Sequence, residues 1–158
     1  MSLSETPKSR IDEFLAERRF AIIGVSRNPK DFSRILFREF LKRGYDVVPA
    51  NPGCVEIEGR ACARSIAAIE PPPESVLLMT PPSVTETLVS ECAAAGVKRI
   101  WMYRAAGAGA VSQRAVAYCH ANHIDVIAGE CPMMFLPETG WLHRVHGFVR
   151  RISGAYPR

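Results

Sequence analysis

Short apolar runs without polar alternation recur along this chain, each followed by a turn and then a stretch with helical spacing. Residues 20–23 are the first such run, the pattern of a strand covered on both faces. Leu36, Phe37, Phe40 and Leu41 follow at the spacing of one helix face, and Gly44 stops that helix. Residues 46–50 form the next strand. Residues 75–80, 99–103 and 125–128 repeat the strand pattern. Between them, helices are expected over 84–95, with Ser83 as N-cap and Gly96 as stop, and over 111–122. A leading helix is expected over 11–19, with Ile11, Phe14 and Leu15 on one side. Residues 65–69 make a helical turn or two, ended by Pro71, Pro72 and Pro73. The stretch 52–59 reads as a loop with a minor strand. Strands alternating with helices imply an α/β fold with a doubly wound, mostly parallel sheet and right-handed crossovers, helices on both faces: a Rossmann-like domain.

Ligands of such sheets bind beyond the carboxyl ends of the strands, at the topological switch point. Five segments reach that edge: 24–30, 51–53, 80–83, 103–107 and 129–133. In the first, Gly24 allows a tight turn, and the turn is expected to present free backbone N–H groups at a helix N-terminus, where the macrodipole favours a phosphate. The turn is not a dinucleotide fingerprint. It reads "GVSRNPKDFS", with Ser26 in place of the second glycine and no third glycine. The second strand ends in Ala50, Asn51 and Pro52, with no acidic residue for a ribose diol. Arg27, Lys30 and Arg34 line or follow the turn, so the local field is positive. An adenine nucleotide with a phosphorylated ribose fits this edge better than NAD.

Five quoted segments carry a family likeness: "GVSRNP" with "GYDVVPANP", a strand ending in "TPPSV", "KRIWMY", and "AGECPM" after the last strand. In this order and spacing the chain resembles the stand-alone CoA-binding domain proteins (YccU-like), relatives of the CoA-binding domain of the succinyl-CoA synthetase α subunit. The likeness covers about residues 15–135 of a single domain spanning 1–158. It implies binding of CoA or an acyl-CoA. It implies that Gly24, Ser26, Arg27 and Asn28 border the phosphates, and that Asn51 and Pro52 lie near the adenosine end. By the same likeness Thr80, Pro81 and Pro82 shape the nucleotide cleft, and the turn at Tyr103 and Arg104 faces the pantetheine arm. Two positions depart from the family pattern. Gly53 stands where members often carry lysine, and Arg104 adds a cation in a turn that usually holds Gln or Glu.

Composition narrows the picture. Hydrophobic residues at 47% and charged residues at 23% are ordinary for a globular domain. No apolar run approaches the roughly 20 residues of a membrane span, and "MSLSETPKSR" lacks the apolar core of a signal peptide. A cytoplasmic location is expected. The net charge of +4 is local: all 16 acidic residues and all but four basic ones lie within the first 140. Arg144, Arg150, Arg151 and Arg158 supply the excess, so no nucleic-acid surface is indicated. Five cysteines form no C-x-x-C pair and suit neither a zinc site nor a disulfide framework. Cys92 and Cys119 read as small core residues on helices.

Rival chemistries are weaker. "GAGAVS", with Gly107 and Gly109, reads as a flexible loop rather than a second phosphate loop. Cys131 at the ligand edge would need a base and a lowered pKa to act as an acyl-transfer nucleophile, and Glu130 beside it works against that. An NAD(P)-dependent oxidoreductase is the other alternative. His143 and His146 read as surface or packing histidines rather than metal ligands. Residues 138–153 form an amphipathic extension in which Trp141, Val145, Phe148 and Ile152 share a stripe. It packs on its own domain or serves a protein partner or self-association. No nucleophile, base and oxyanion donor stand together, so the leading expectation is binding without catalysis, as sensor, carrier or accessory subunit, and an enzyme is the less expected outcome.

Overall fold

Phe20 and Ile22 point to one side of their strand and Ala21 and Ile23 to the other, and all four are buried. A strand with both faces covered belongs inside a parallel sheet, and a computed structural model, which describes residues 6–137, places it there. The elements in chain order are α1 (Lys8–Ala16), β1 (Arg19–Ile23), α2 (Phe32–Lys42), β2 (Asp46–Ala50), β3 (Glu56–Ile57), β4 (Arg60–Ala61), a 3-10 turn (Ile66–Ala68), β5 (Ser75–Leu78), α3 (Pro82–Ala94), β6 (Arg99–Met102), α4 (Gln113–Ala121), β7 (Asp125–Ala128) and a second 3-10 turn (Pro132–Met134). Five strands form one sheet in the order β2-β1-β5-β6-β7, all neighbours parallel. The chain reverses its direction of travel between β1 and β5, which makes that seam the switch point.

Two apolar layers cover the sheet. On one face Val89 and Cys92 of α3 and Ala115 and Cys119 of α4 pack with Ile23, Leu78, Ile100, Met102 and Val126. On the other, Ile11 and Phe14 of α1 and Leu36, Phe37 and Phe40 of α2 pack with Phe20, Ile22, Leu77, Trp101 and Ile127. Aromatic edges organise this second layer: Phe14 meets Trp101 at 5.3 Å and Phe20 meets Phe40 at 4.9 Å between ring centres, both near-perpendicular. Cys92 and Cys119 are core residues, as their helical placement predicts.

Several boundaries differ from the sequence expectation, each for a local reason. The leading helix begins at Lys8, directly after Pro7, and ends at Ala16. Glu17 is already extended and Arg19 opens β1, with the Arg18 carbonyl accepting the Asp46 N–H at the foot of β2. Helix α3 starts at Pro82 instead of Val84, and Ser83 is not its cap. A proline in the first helical turn loses no hydrogen bond, and its fixed φ suits the helix. Helix α4 starts at Gln113, because Ser112 caps it by accepting the Ala115 N–H. Strands β5 and β6 stop one or two residues early, at Leu78 and Met102. The loop after β2 holds a complete hairpin, β3 with β4, turning through Glu58 and Gly59 at φ 51° and 75°. Two consecutive positive φ values match the twist of a two-residue hairpin. The proposed C-terminal helix, with His143 and His146, lies outside the described residues.

That hairpin braces the ligand edge. Glu58 Oε1 accepts from Arg34 at 2.7 Å and from Arg38 at 2.9 Å. Arg34 in turn donates to the carbonyls of Ser26 and Arg27, and Arg38 to that of Pro29. Hydrogen bonding from Arg34, then Arg38, holds the Glu58 carboxyl below its ordinary pKa against the opposing effect of burial. A depressed carboxyl stabilises the fold above its unfolded pKa and loses that contribution as pH falls through the folded value. Glu58→Gln is expected to cost on the order of 1 kcal/mol at neutral pH. In urea titrations the gap between variant and wild type is expected to narrow as pH falls through the depressed folded-state pKa of Glu58, where its carboxyl takes up a proton.

Candidate functional site

The turn after β1 starts with a close approach. Gly24 has φ 97°, and a Cβ there would stand 2.5 Å from the Met79 carbonyl oxygen. Its N–H donates to the Ala50 carbonyl at 3.2 Å. Gly24 therefore sits where the ends of β1, β2 and β5 converge. Only glycine combines that φ with that proximity.

From there the turn largely satisfies itself. The Ser26 N–H donates to Ser33 Oγ at 2.9 Å, the Asn28 N–H to Ser26 Oγ at 3.0 Å, and the Lys30 N–H to Asn28 Oδ1 at 3.0 Å. Asp31 caps α2, its carboxylate accepting the Ser33 N–H at 2.9 Å and the Ser33 hydroxyl. This corrects the expectation of a row of free donors at the helix N-terminus. A carboxylate already meets the helix dipole, and most of the turn's N–H groups have side-chain or backbone partners. The backbone N–H groups of Val25 and Arg27 remain open among the described residues. The Arg27 and Lys30 side chains are exposed and carry no ion pair there. Arg34, expected as part of the positive field, is instead the brace to Glu58.

The second loop locks onto the first. Asn51 Nδ2 donates to the Val25 carbonyl at 3.0 Å, and its Oδ1 accepts the Gly53 N–H at 2.8 Å. The Arg27 guanidinium carbon lies 4.0 Å from the point where a Cβ on Gly53 would stand. Arg27 thus occupies the space that a side chain at position 53 would use, and brings the cation to that spot from the neighbouring loop. Pro52 is exposed beside it.

Across the switch point, Thr80 is buried with its Oγ1 2.9 Å from Thr85 Oγ1, so its hydroxyl faces α3 and its methyl faces Gly24. The Pro81 carbonyl accepts the N–H groups of Val84 and Thr85, both at 3.0 Å. Pro82 opens α3, so Thr80, Pro81 and Pro82 form a rigid wall.

Tyr103, beyond β6, packs against Phe32 at 5.6 Å with the rings tilted by 31°. Burial pushes its hydroxyl pKa to about 12, helped by Cys131 and Asp31. It is a neutral donor and acceptor at any physiological pH. The loop 104–109 folds back on this residue. The Ala110 N–H donates to the Tyr103 carbonyl at 2.7 Å, and Gly109, at φ 56°, leaves no room for a Cβ against that carbonyl. Arg104 is exposed, and its N–H donates to the Glu130 carbonyl at 3.2 Å. Trp101 Nε1 reaches the Gly129 carbonyl at 2.9 Å, fixing the last turn from inside the core.

The five expected segments therefore do meet, in one chain of contacts along the carboxyl edge. Phe32, Arg38 and Glu58 belong to this arrangement and were not foreseen. The signal for the last was the "EG" pair between two short β-prone pieces.

Residues 18–137 match the family model described as the CoA binding domain. The chain belongs to this family. The fold of the CoA-binding domain recurs in solved structures. A hypothetical protein from Pyrococcus horikoshii OT3 superposes with a TM-score of 0.75 at 25% identity, over 84% of this chain and 92% of that one. A conserved hypothetical protein from Pyrococcus furiosus gives 0.68 at 28% identity, over 75% and 99%. The apo form of the dinucleotide-forming acetyl-coenzyme A synthetase 1 of Ca. Korarchaeum cryptofilum shares the fold at 0.60 and 19% identity, over 70% of this chain but 25% of that one. No curated protein matches the chain.

In this CoA-binding domain the cysteine at the ligand edge is poorly suited to nucleophilic attack. Cys131 is 3% exposed, and burial pushes its thiol pKa to about 11. The thiolate that would attack a thioester is then rare at neutral pH. Among the described residues no cluster of three metal-ligating side chains occurs, and no helix is long and apolar enough to cross a membrane.

Proposed function

We propose that the protein binds CoA or an acyl-CoA in the crevice at the carboxyl edge and performs no chemistry of its own, serving as a sensor, a carrier or an accessory subunit. The observation that carries this reading is the conjunction at Arg27: an uncommitted guanidinium beside Gly53 of the Asn51 loop and two open backbone N–H groups, all at the switch point of a CoA-binding domain. In this reading Gly24, Ser26, Arg27 and Asn28 border the phosphates, Asn51 and Pro52 the adenosine, Thr80, Pro81 and Pro82 the cleft wall, and Tyr103 and Arg104 the pantetheine arm. Ser26, Asn28 and Asn51 act chiefly by shaping the loops, because their side chains already hold backbone groups.

The acetyl-CoA synthetase is named for a ligase product, but the likeness spans a quarter of that chain. The buried, high-pKa Cys131 supports a role without acyl transfer. Arg27→Ala is expected to weaken CoA binding by about 1–3 kcal/mol, the range for a charge-assisted contact to phosphate. The melting temperature of the unliganded protein is expected to stay within a degree or so, because the side chain is exposed. Calorimetry at low salt checks the first and a thermal melt the second. Unchanged affinity would remove Arg27 from the site. Incubation with acetyl-CoA is expected to leave no acyl adduct on the intact protein by mass spectrometry. An adduct abolished by Cys131→Ser would make the protein an acyl-transfer enzyme.

A further inference from the structure

The loop that carries Asn51 also carries two cysteines, Cys54 and Cys62, that pack against the same apolar layer. Cys54 lies three residues after Asn51, and Cys62 follows the hairpin β3–β4. The backbone brings them together. The Cys62 N–H donates to the carbonyl of Val55, the neighbour of Cys54, at 2.8 Å, which extends the β3–β4 pairing towards Cys54. The Cys54 N–H and the Cys62 Sγ both converge on the Asn51 carbonyl oxygen, at 3.3 Å and 3.7 Å. The Cys54 Sγ bonds the Glu56 carbonyl at 3.1 Å. Burial raises the Cys62 pKa, and the neighbouring Cys54 adds to that rise.

Exposure separates this pair from the other cysteines. Cys54 and Cys62 are half-buried, while Cys92, Cys119 and Cys131 are buried. A small oxidant meets the first two and not the rest. Two thiols without a third donor do not make a structural metal site, and among the described residues no third ligand stands near them.

We propose that Cys54 and Cys62 form a redox-modification site, a dithiol that a hydroperoxide closes to an intrachain disulfide. The Cys54 thiolate attacks one peroxide oxygen. The O–O bond breaks, the other oxygen leaves with the thiol's proton, and Cys54 becomes a sulfenic acid. The Cys62 sulfur then attacks the Cys54 sulfur and displaces the hydroxyl, which departs as water with the Cys62 proton. Two thiols lose two electrons and the peroxide gains them. Cys62 is the resolving partner, because its burial disfavours the thiolate that begins the reaction. The bond ties the start of the hairpin to its end. The same hairpin bears Glu58, the anchor of Arg34 and Arg38, so oxidation stiffens the support of the turn after β1. Formation of this disulfide does not depend on what the crevice binds.

The test oxidises the folded chain with hydrogen peroxide, blocks free thiols with an alkylating agent, and maps peptides by mass spectrometry. The expected product links Cys54 to Cys62, is reversed by a dithiol reductant, and leaves Cys92, Cys119 and Cys131 as thiols. Cys62→Ser is expected to stop the reaction at a sulfenic acid on Cys54 that dimedone traps. The same oxidation in urea is expected to form the 54–62 link roughly tenfold more slowly or worse, because unfolding removes the preset proximity. This comparison needs no variant to fold. An absent link, a scrambled one, or equal rates in the folded and unfolded chain would overturn the proposal.

Discussion

Trp101→Ala is expected to cost about 3–5 kcal/mol of folding free energy, the range for truncating a large buried aromatic. Trp101 is fully buried in the middle of β6. Its ring meets Phe14 of α1 edge-on at 5.3 Å and Phe135, beyond β7, at 6.2 Å. Truncation removes those contacts and leaves a cavity in the layer between the sheet and helices α1 and α2. It also takes the Nε1 donor from the Gly129 carbonyl, while the Glu130 carbonyl keeps the Arg104 N–H. Trp101→Phe separates the two effects, because it keeps most of the volume and loses only the donor. Its expected cost is about 1–3 kcal/mol. Urea denaturation of both variants measures the difference. A loss below about 1 kcal/mol for alanine would mean that the neighbours close over the gap.

Gly24→Ala is the second large effect, with an expected cost of about 3 kcal/mol, from a strained φ and an overlap with the backbone. The added methyl meets the Met79 carbonyl oxygen and carbon at 2.5 Å and 2.8 Å. Neither is the tip of a flexible side chain, so β1 and β5 must separate at the switch point. The variant is therefore expected to lose ligand binding along with stability. Gly53→Ala is the contrast on the facing loop. Its Cβ would meet Asn51 Oδ1 at 3.4 Å and no backbone atom that close. A change within about 0.5 kcal/mol is expected there. Thermal melts of the two variants decide it: equal losses would show that backbone overlap at Gly24 is not the cause.

Where burial set the pattern, the sequence was readable. Asp125–Ala128 runs over the expected residues, because both faces of β7 are covered and turns bound it on either side. The Leu36, Phe37 and Phe40 stripe marks α2, and each of the three is buried. Boundaries set by a single hydrogen bond were not readable in this way. Ser83 looked like a cap, but the proline before it had already entered the helix. The site divided along the same line. The edge segments could be named, because topology alone brings strand ends together. The roles of individual side chains could not, because they depend on contacts remote in sequence. Arg34 and Arg38 find Glu58 24 and 20 residues ahead, in a hairpin of two-residue strands too short to carry a period. Arg27 reaches Gly53 from the neighbouring loop. The polar turn between Ser26 and Ser33 looked open to a phosphate, because serine, asparagine and aspartate there give no hint of how far they satisfy one another.

Calorimetric titration of the protein with CoA, and with NAD at the same concentrations in the same low-salt buffer, tests the central claim most directly. A ligand recognised only by the native state also shifts unfolding by mass action, so a thermal melt of each sample reports the same event. The account predicts saturable binding of CoA with a rise in melting temperature, and weaker or no binding of NAD. Binding of NAD in preference to CoA would contradict it.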